Sequence, residues 1–356
     1  MDAVLLVGGQ GTRLRPLTIS APKPMLPAAG VPFTAHQLAR AKAAGVDHVV
    51  LATSYRPEVF EQYFGDGADL GLEIEYVTEQ TPLGTGGGIR NVADRLRSDD
   101  VLILNGDVLD GHDIGGQLEA HRASGAAVTL YLTRASDPRA FGCVPTDADG
   151  RVTAFLEKDP NPATDQVNAG CYVFRRDVLL SAIPAGRVVS VERETFPSLL
   201  AEGAHLQAFV DTAYWLDVGT PAAFVRGSCD LVRGVIASPA LPGPPGPRLV
   251  LPGADVSPGA VVDGGTTVGR HAYVGPRARV HGSVLFDEAV VRPGAVVNAS
   301  VVGRGAVVGT GTQLDGVVLG DGAVVGAGNE LLSGVRVFPG ARIGDGAVRF
   351  SSDRSS

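Results

Sequence analysis

The sequence predicts two structural units in series: an α/β unit on a mostly parallel sheet, then a coil of short parallel strands. Three observations predict this. Residues 1–236 alternate apolar, strand-like runs with helical stretches. A Pro/Gly-rich break runs from Ser238 to Pro247. Beyond it, aliphatic residues recur with a period of 17.

In chain order, residues 4–7 read as a buried strand, 34–44 as a helix and 48–52 as a strand. Residues 73–77 form the next strand, 89–96 a helix, 101–104 a strand, 114–123 a helix and 128–132 a strand. Strands alternating with helices argue for a parallel sheet covered on both faces. Ligands of such sheets sit at the carboxyl ends of strands, and the Gly-rich and acidic segments of this chain follow strand ends. The segment from Ser238 to Pro247 holds five prolines and two glycines in ten residues. That composition continues neither a helix nor a central strand. The expected division is therefore 1–236 for the α/β unit, 237–248 for a linker, and 249–356 for the second unit with a short C-terminal tail.

In the second unit, aliphatic residues fall at Val268, Val274 and Val280, then Leu285, Val291 and Val297. The series continues through Val302, Val308, Leu314, Leu319, Val325 and Leu331. Steps of six, six and five repeat over four cycles, which neither a 3.6 nor a 2.0 period produces. A coil with three flat walls does, with one aliphatic side chain per wall pointing inward. Gly269, Gly303 and Gly320 then fit the tight corners. Stacked coils bury one continuous column. The pattern resembles the left-handed parallel β-helix of hexapeptide repeats.

Composition narrows the function classes. Apolar residues are 44% and charged residues 19%, so a packed core is expected. A net charge of -8 argues against nucleic acid held on a broad basic surface. No stretch reaches the roughly 20 apolar residues of a membrane span. The N-terminus lacks a basic region ahead of its short apolar run. A cytoplasmic location follows as an expectation. Cys143, Cys171 and Cys229 are odd in number and widely spaced, the pattern of buried thiols in a reducing compartment.

The first strand runs into Gly8, Gly9, Gln10, Gly11, Thr12, Arg13, Leu14, Arg15 and Pro16. Glycines after a strand let backbone N–H groups close on phosphate oxygens. Arg13 and Arg15 add charge-assisted donors. Pro22 and Pro24 flank Lys23 and stiffen the backbone around a candidate phosphate-binding lysine. Other glycine motifs fit badly. The P-loop Gly-Lys-Ser/Thr is absent, and the dinucleotide fingerprint needs Gly where Leu14 stands. Ser20 and Lys23 match an S-x-x-K spacing, but the prolines oppose the helix start which that motif requires.

Four further segments carry candidate chemistry. Leu83 to Gly88 joins a strand to a helix, and its small residues leave room for a flat ring, although a plain helix-start turn reads the same way. Asn105, Gly106 and Asp107 end an apolar run; a carboxylate there suits Mg²⁺, and the bare tripeptide also reads as a turn. Glu157 and Lys158 follow a hairpin turned at Asp149 and Gly150. On a regular strand they face opposite ways, so taken alone they read as a solvated charge couple, and only an irregular backbone aims both into one pocket. Ser190 to Glu194 reads as a helix cap with acids in the first turn.

The string from Gly8 to Pro16, with Pro22-Lys23-Pro24, resembles the signature of sugar-1-phosphate nucleotidylyltransferases. The resemblance implies a Rossmann-like nucleotidyltransferase domain. It implies nucleotide contacts from Leu6, Gly8, Gly9, Gly11 and Thr12, and also from Glu79, Leu83, Gly84 and Asn105. It makes Arg13, Lys23 and Asp107 catalytic and gives Mg²⁺ to Asp107 and Asp217. Glu157 and Asn168 would hold sugar hydroxyls, Lys158 the sugar phosphate, and Gly142 would leave room beside the sugar. Leu6 to Gly9, Phe141 to Pro145 and Ser190 to Pro197 are similar to one branch, the bacterial mannose-1-phosphate guanylyltransferases with a C-terminal β-helix. That branch implies GTP and α-D-mannose 1-phosphate as substrates. The β-helix is assigned to assembly or regulation: its exposed end coils need covering, often by another subunit, so a homo-oligomer through that domain is expected.

Three other readings stay open on sequence alone. Glucose-1-phosphate enzymes using dTTP, UTP or ATP share most of these motifs. A non-catalytic regulatory subunit would lose the acids or the loop lysine, and here Arg13, Lys23, Asp107, Lys158 and Asp217 are all present. A β-helix acyltransferase would need a histidine base, for which His271 and His281 are the candidates, although both fit a surface position on the coil.

Overall fold

The computed structural model describes residues 1–158, 160–332 and 334–349. Residues 350–356, at the end of the expected short C-terminal tail, lie outside them. The chain forms two compact units. The first joins Met1–Gly9 to Gln37–Trp215; the second joins Gln10–His36 to the chain from Leu216 onward.

The sheet of the first unit is built from nine strands: β1 (Asp2–Leu6), β2 (His48–Thr53), β3 (Glu73–Thr78), β4 (Asp100–Asn105), β5 (Val128–Arg134), β6 (Gly142–Cys143), β7 (Leu156–Glu157), β8 (Gln166–Arg175) and β9 (Leu206–Val210). The main order is β7-β6-β8-β4-β1-β2-β3, with β5 joined to β8 and β9 to β5. Strands β1 to β4 are parallel to one another, as the β-α alternation predicts. The long strand β8 is antiparallel to both β4 and β5, so the second half of the sheet is mixed. Parallel strands covered on both faces need apolar side chains on both faces. Accordingly, Val4, Val50, Val101 and Ile103 on one face and Ala3, Leu5, Leu51 and Leu102 on the other are all at most 1% exposed. The core between sheet and helices is closed by Tyr172, Phe174 and Phe196, whose rings lie 5.1–6.4 Å apart.

Most expected elements form within a residue or two of their predicted bounds. One differs. The helix expected over 89–96 runs instead over Gly84–Asn91, followed by a 3-10 turn at Ala93–Arg95. The glycines at 84–88 therefore belong to the helix, although glycine is a poor helix former. Tertiary packing explains this. The N–H groups of Gly86 and Gly87 donate to the Val189 carbonyl at 2.9 and 3.2 Å. A Cβ at Gly87 would lie 2.5 Å from the Arg187 carbonyl oxygen, and one at Gly84 2.6 Å from that of Val189. The Cβ positions of Gly84 and Gly87 are occupied by the backbone of residues 187–189.

In the second unit, short strands stack into three parallel walls, the left-handed β-helix. In register, Val268 pairs with Leu285, Leu285 with Val302 and Val302 with Leu319. All twelve predicted inward residues, Val268 through Leu331, are at most 1% exposed. Two further inward columns escaped the sequence reading: Ala272, Ala289, Ala306 and Ala323 stand two residues before positions of one wall, Ala278 and Ala295 before those of another, and all six are buried. Their small side chains fit where the coil turns.

The glycines need a different explanation from the one expected. One series of left-handed corners falls at His271, Glu288, Gly305 and Gly322, again 17 apart, with φ of 56° to 66°, and a second at Arg277, Gly294, Gly311 and Gly328. Gly269, Gly303 and Gly320 do not have positive φ. They are glycines because the next coil passes too close: a Cβ at Gly269 would lie 2.4 Å from the Phe286 carbonyl carbon, and one at Gly320 2.7 Å from the Pro339 nitrogen. The matching position on the remaining coil is Phe286, whose ring meets that of Phe224 at 6.3 Å. Phe224 lies on the helix Pro221–Arg233, which starts with Thr220 as its cap, accepting from the Ala223 N–H at 3.2 Å. Residues 234–247 carry neither helix nor strand, and the first wall strand is Arg248–Val250.

Candidate active site

The carboxyl ends of β1 and β4 lie side by side in the first unit. Leu6 pairs with Asn105 on one flank and with Ala52 on the other. The chain leaving β1 is tied down by Val7 N–H donating to the Ala52 carbonyl at 3.0 Å. Gly106 N–H donates to the Leu6 carbonyl at 2.9 Å, which sets the exit direction of Asn105-Gly106-Asp107. A Cβ at Gly106 would lie 2.4 Å from that same oxygen. Gly9 is different: nothing lies within 4 Å of a Cβ built there, and its φ is outside the left-handed region. The folded chain gives no internal reason for glycine at position 9.

On the neighbouring edge, Glu79 accepts from the Leu83 N–H at 3.1 Å. Burial raises its carboxyl above the ordinary glutamate range, against the opposing pull of that hydrogen bond. A Cβ at Gly88 would meet Glu79 Oε1 at 2.7 Å and Leu6 Cδ2 at 3.6 Å. Glu79, Leu6 and the helix start thus share one side of the sheet's carboxyl edge. The Asn105 side chain stands against Gly170, whose Cβ would lie 2.8 Å from Asn105 Nδ2. Asn105 Oδ1 is buried without a hydrogen-bond partner, an acceptor left over for something else.

Gly142 and Glu157 are opposite each other across β6 and β7. A Cβ at Gly142 would lie 2.9 Å from Glu157 Oε2, so glycine keeps that carboxylate's surroundings open. The next residue, Lys158, has φ of 54°. This is the irregular backbone that two adjacent charges need in order to work on one side, and Lys158 Nζ lies 4.0 Å from Glu157 Oε1. Asn168 Oδ1 accepts from the Gly170 N–H at 3.2 Å. Its Nδ2 donates to the Tyr172 hydroxyl at 2.8 Å.

From there a polar chain missed by sequence reasoning continues. The Tyr172 hydroxyl donates to Glu192 Oε1 at 3.5 Å, and Thr85 Oγ1 donates to Glu192 Oε2 at 2.7 Å. Burial pushes the Tyr172 phenol well above its ordinary range. Ser190 caps the turn as expected, accepting from the Arg193 N–H at 3.2 Å, but the turn is π-helical over Val191–Thr195. Wide turns of this kind are frequent at functional sites. The only sequence signal was the cap itself, because Thr85, Tyr172 and Glu192 are far apart in the chain.

The second unit holds Gly11, Thr12, Arg13, Lys23 and Asp217. Gly11 has φ of 59°, and a Cβ there would meet Lys23 Cβ at 2.7 Å, so the lysine stem packs on the glycine. Thr18 Oγ1 donates to the Gly11 carbonyl at 2.9 Å. Thr12–Leu14 forms a 3-10 turn pinned by the buried Leu14. Lys23 opens a single 3-10 turn and is 9% exposed. The exposed Arg13 lays its guanidinium on Gly219, where a Cβ would be 2.8 Å from Nη2. Gly219 lies two residues after the half-buried Asp217.

Other predicted side chains hold no chemistry of this kind. His271 and His281 are exposed on the coil, and His281 Nδ1 bonds Asp263 at 2.6 Å. The three cysteines are buried. Among the described residues, His48, Glu73 and Glu75 are close enough to share a metal. They lie at the opposite, amino end of the sheet, where Arg97 pairs with both glutamates at 2.6 and 3.2 Å. That cluster is a charge network already neutralised by arginine. No helix among the described residues is long and apolar enough to cross a membrane.

Residues 2–234 match the nucleotidyl transferase family model, and residues 245–348 match the GMPPB C-terminal domain. The chain is 63% identical over 354 residues to the mannose-1-phosphate guanylyltransferase of Mycobacterium tuberculosis, covering 99% of this chain and 98% of that protein. It is 32% identical to mannose-1-phosphate guanylyltransferase 1 of Arabidopsis thaliana over 82% of this chain and 79% of the relative. Among solved structures, HddC from Yersinia pseudotuberculosis complexed with GMP-PN matches with a TM-score of 0.55 at 25% identity, over 64% of this chain and 97% of that one. A putative glucose-1-phosphate thymidylyltransferase from Bacillus anthracis, at 20% identity and a TM-score of 0.61, shares the fold over 68% of this chain and all of that one. The chain is a nucleotidyl transferase of the mannose-1-phosphate guanylyltransferase family.

Proposed function

We propose that this protein transfers guanylyl from GTP to α-D-mannose 1-phosphate, forming GDP-mannose and pyrophosphate. The observation that carries the reading is the intact motif set, Arg13, Lys23, Asp107, Lys158 and Asp217, in a chain 63% identical end to end to a mannose-1-phosphate guanylyltransferase. Gly9 supports it independently: a glycine that the fold does not require fits a loop closing on phosphates.

An oxygen of the sugar phosphate attacks the α-phosphorus of GTP in line, and the bond to the β-phosphate bridging oxygen breaks to release pyrophosphate. The nucleophile is already an anion, so no base and no covalent intermediate are required. Catalysis is then positioning plus charge neutralisation. Arg13 and Lys23 face the triphosphate, and Lys158 offsets repulsion between the two anions. Glu79, Leu83, Gly84 and Asn105 border the base and ribose, and Asn105 Oδ1 is an acceptor still to be satisfied. Glu157 and Asn168 take sugar hydroxyls. Asp107 and Asp217 are half-buried oxygen donors of the type Mg²⁺ prefers, and are the residues that would hold it. Bound there, the ion would neutralise phosphate charge.

In this reading residues 1–236 are the catalytic domain, 237–248 the linker, and 249–356 a β-helix serving homo-oligomer assembly in the cytoplasm. The test is a panel of four NTPs against mannose and glucose 1-phosphates, read by pyrophosphate release. GTP with mannose 1-phosphate is expected to be fastest, to stop on chelation of Mg²⁺, and to be lost in Lys23→Ala. Preference for another pair would overturn the assignment.

A further inference from the structure

The outward side of one β-helix wall carries a column of aliphatic residues and one threonine that ends on an arginine. In register, Leu249 pairs with Thr267, then Val284, Val301 and Val318 follow, and the last member is Arg336. The first five are at most 7% exposed, whereas Arg336 is exposed. A period that places an aliphatic or threonine side chain on every earlier coil therefore ends on a guanidinium.

That guanidinium is not idle. Arg336 Nη1 donates to the Arg13 carbonyl at 2.9 Å and to the Arg15 carbonyl at 2.8 Å. The first carbonyl belongs to the turn Thr12–Leu14 that carries the Arg13 side chain, and the second lies immediately after it. Both bonds are within ordinary hydrogen-bond length, and both are assisted by the donor's charge. A residue more than 320 positions away in sequence thus grips the backbone of the glycine-rich loop from outside, leaving the Arg13 side chain to lie on Gly219.

We propose that Arg336 is a positioning residue for the nucleotide: by holding the carbonyls of Arg13 and Arg15, it keeps the loop in its binding-competent form and makes triphosphate affinity depend on the penultimate part of the β-helix. The role in nucleotide binding rests on the function proposed above; the grip on the loop does not. A protein whose competent state is only fractionally populated binds with an affinity reduced by that fraction. Removing the grip lowers the fraction for the nucleotide and leaves the sugar phosphate's contacts untouched.

The test uses the full chain with Arg336→Ala and Arg336→Lys. In substrate-free protein, Arg336→Ala is expected to speed amide hydrogen exchange in residues 11–16, with the melting temperature close to wild type. In steady state, KM for GTP should rise by about 3- to 10-fold while KM for mannose 1-phosphate stays within twofold. Arg336→Lys, which keeps the charge but loses the planar fork, should fall between the two. Unchanged exchange together with an unchanged GTP KM would overturn the proposal. So would equal losses for both substrates with a lowered melting temperature, which mark a merely structural role. Absence of turnover in the wild-type chain would count against the proposed reaction instead, and the exchange experiment would still decide whether Arg336 holds the loop.

Discussion

Gly106 offers a direct test of how Asp107 is placed. In Gly106→Ala the new methyl would lie 2.4 Å from the Leu6 carbonyl oxygen, 2.9 Å from Val7 Cγ1 and 3.1 Å from the Leu6 carbonyl carbon. An ordinary carbon–oxygen approach is about 3.3 Å, so the two strand ends must separate by roughly 0.9 Å. The obstacle is backbone, and Leu6 is held on both flanks by β2 and β4, so a rotamer change cannot relieve it. The positive-φ argument does not apply, because Gly106 has no such angle. The displacement falls on Asp107 and on the start of the Gly8–Gly9 loop. A misplacement of about 1 Å in a catalytic group costs on the order of 10²-fold in rate, equivalent to about 2.7 kcal/mol of barrier. Overpacking should also lower stability by about 1–3 kcal/mol. The assay is pyrophosphate release at saturating GTP and mannose 1-phosphate, repeated across Mg²⁺ concentrations, with urea unfolding alongside. We expect kcat to fall by about 10²-fold and the Mg²⁺ requirement to move upward. A variant that turns over within twofold of wild type, at the same Mg²⁺ concentration, would refute both the placement of Asp107 and its role.

Three further outcomes are expected. Gly9→Ala meets no neighbour within 4 Å, so it should leave stability unchanged or raise it by about 0.4–1 kcal/mol; a closing phosphate loop would nonetheless raise its KM for GTP, and an unchanged KM would remove the case for close approach at this residue. Leu319→Ala empties a fully buried position in the β-helix column and should cost about 2–5 kcal/mol in urea unfolding; a loss below about 1 kcal/mol would mean the coil collapses around the gap. Asp2 is buried, which alone would raise its pKa, but hydrogen bonds from the Ser98 and Arg97 N–H groups and from His48 outweigh burial and hold it below the ordinary 3.8. A lowered folded pKa means stabilisation present at neutral pH and lost as pH falls below about 4 toward the folded value; Asp2→Ala should therefore cost about 2–3 kcal/mol at pH 7, a difference that shrinks on acidification, and a pH-independent difference would contradict this.

Much of the architecture was legible in the chain itself. The 17-residue period survives because each coil repeats the same inward geometry, so one substitution pattern is printed four times over. The parallel strands β1, β2 and β4 were legible because strands buried on both faces carry continuous aliphatic runs. The glycine-rich loop and Lys23 were legible because their neighbours are local.

What remained hidden depends on residues meeting across long separations. The helix at Gly84 begins where glycine propensity argues against it, because residues 187–189 press on its first turn. The link from Asn168 through Tyr172 and Glu192 to Thr85 joins side chains more than 100 positions apart in its last step. Arg336 reaches the loop of Arg13 only because the coil has wound to its far end. Local propensity and periodicity are properties of neighbours in sequence and can be read along the chain. Close backbone approach and shared hydrogen bonds are properties of neighbours in space, and only the tertiary fold decides those.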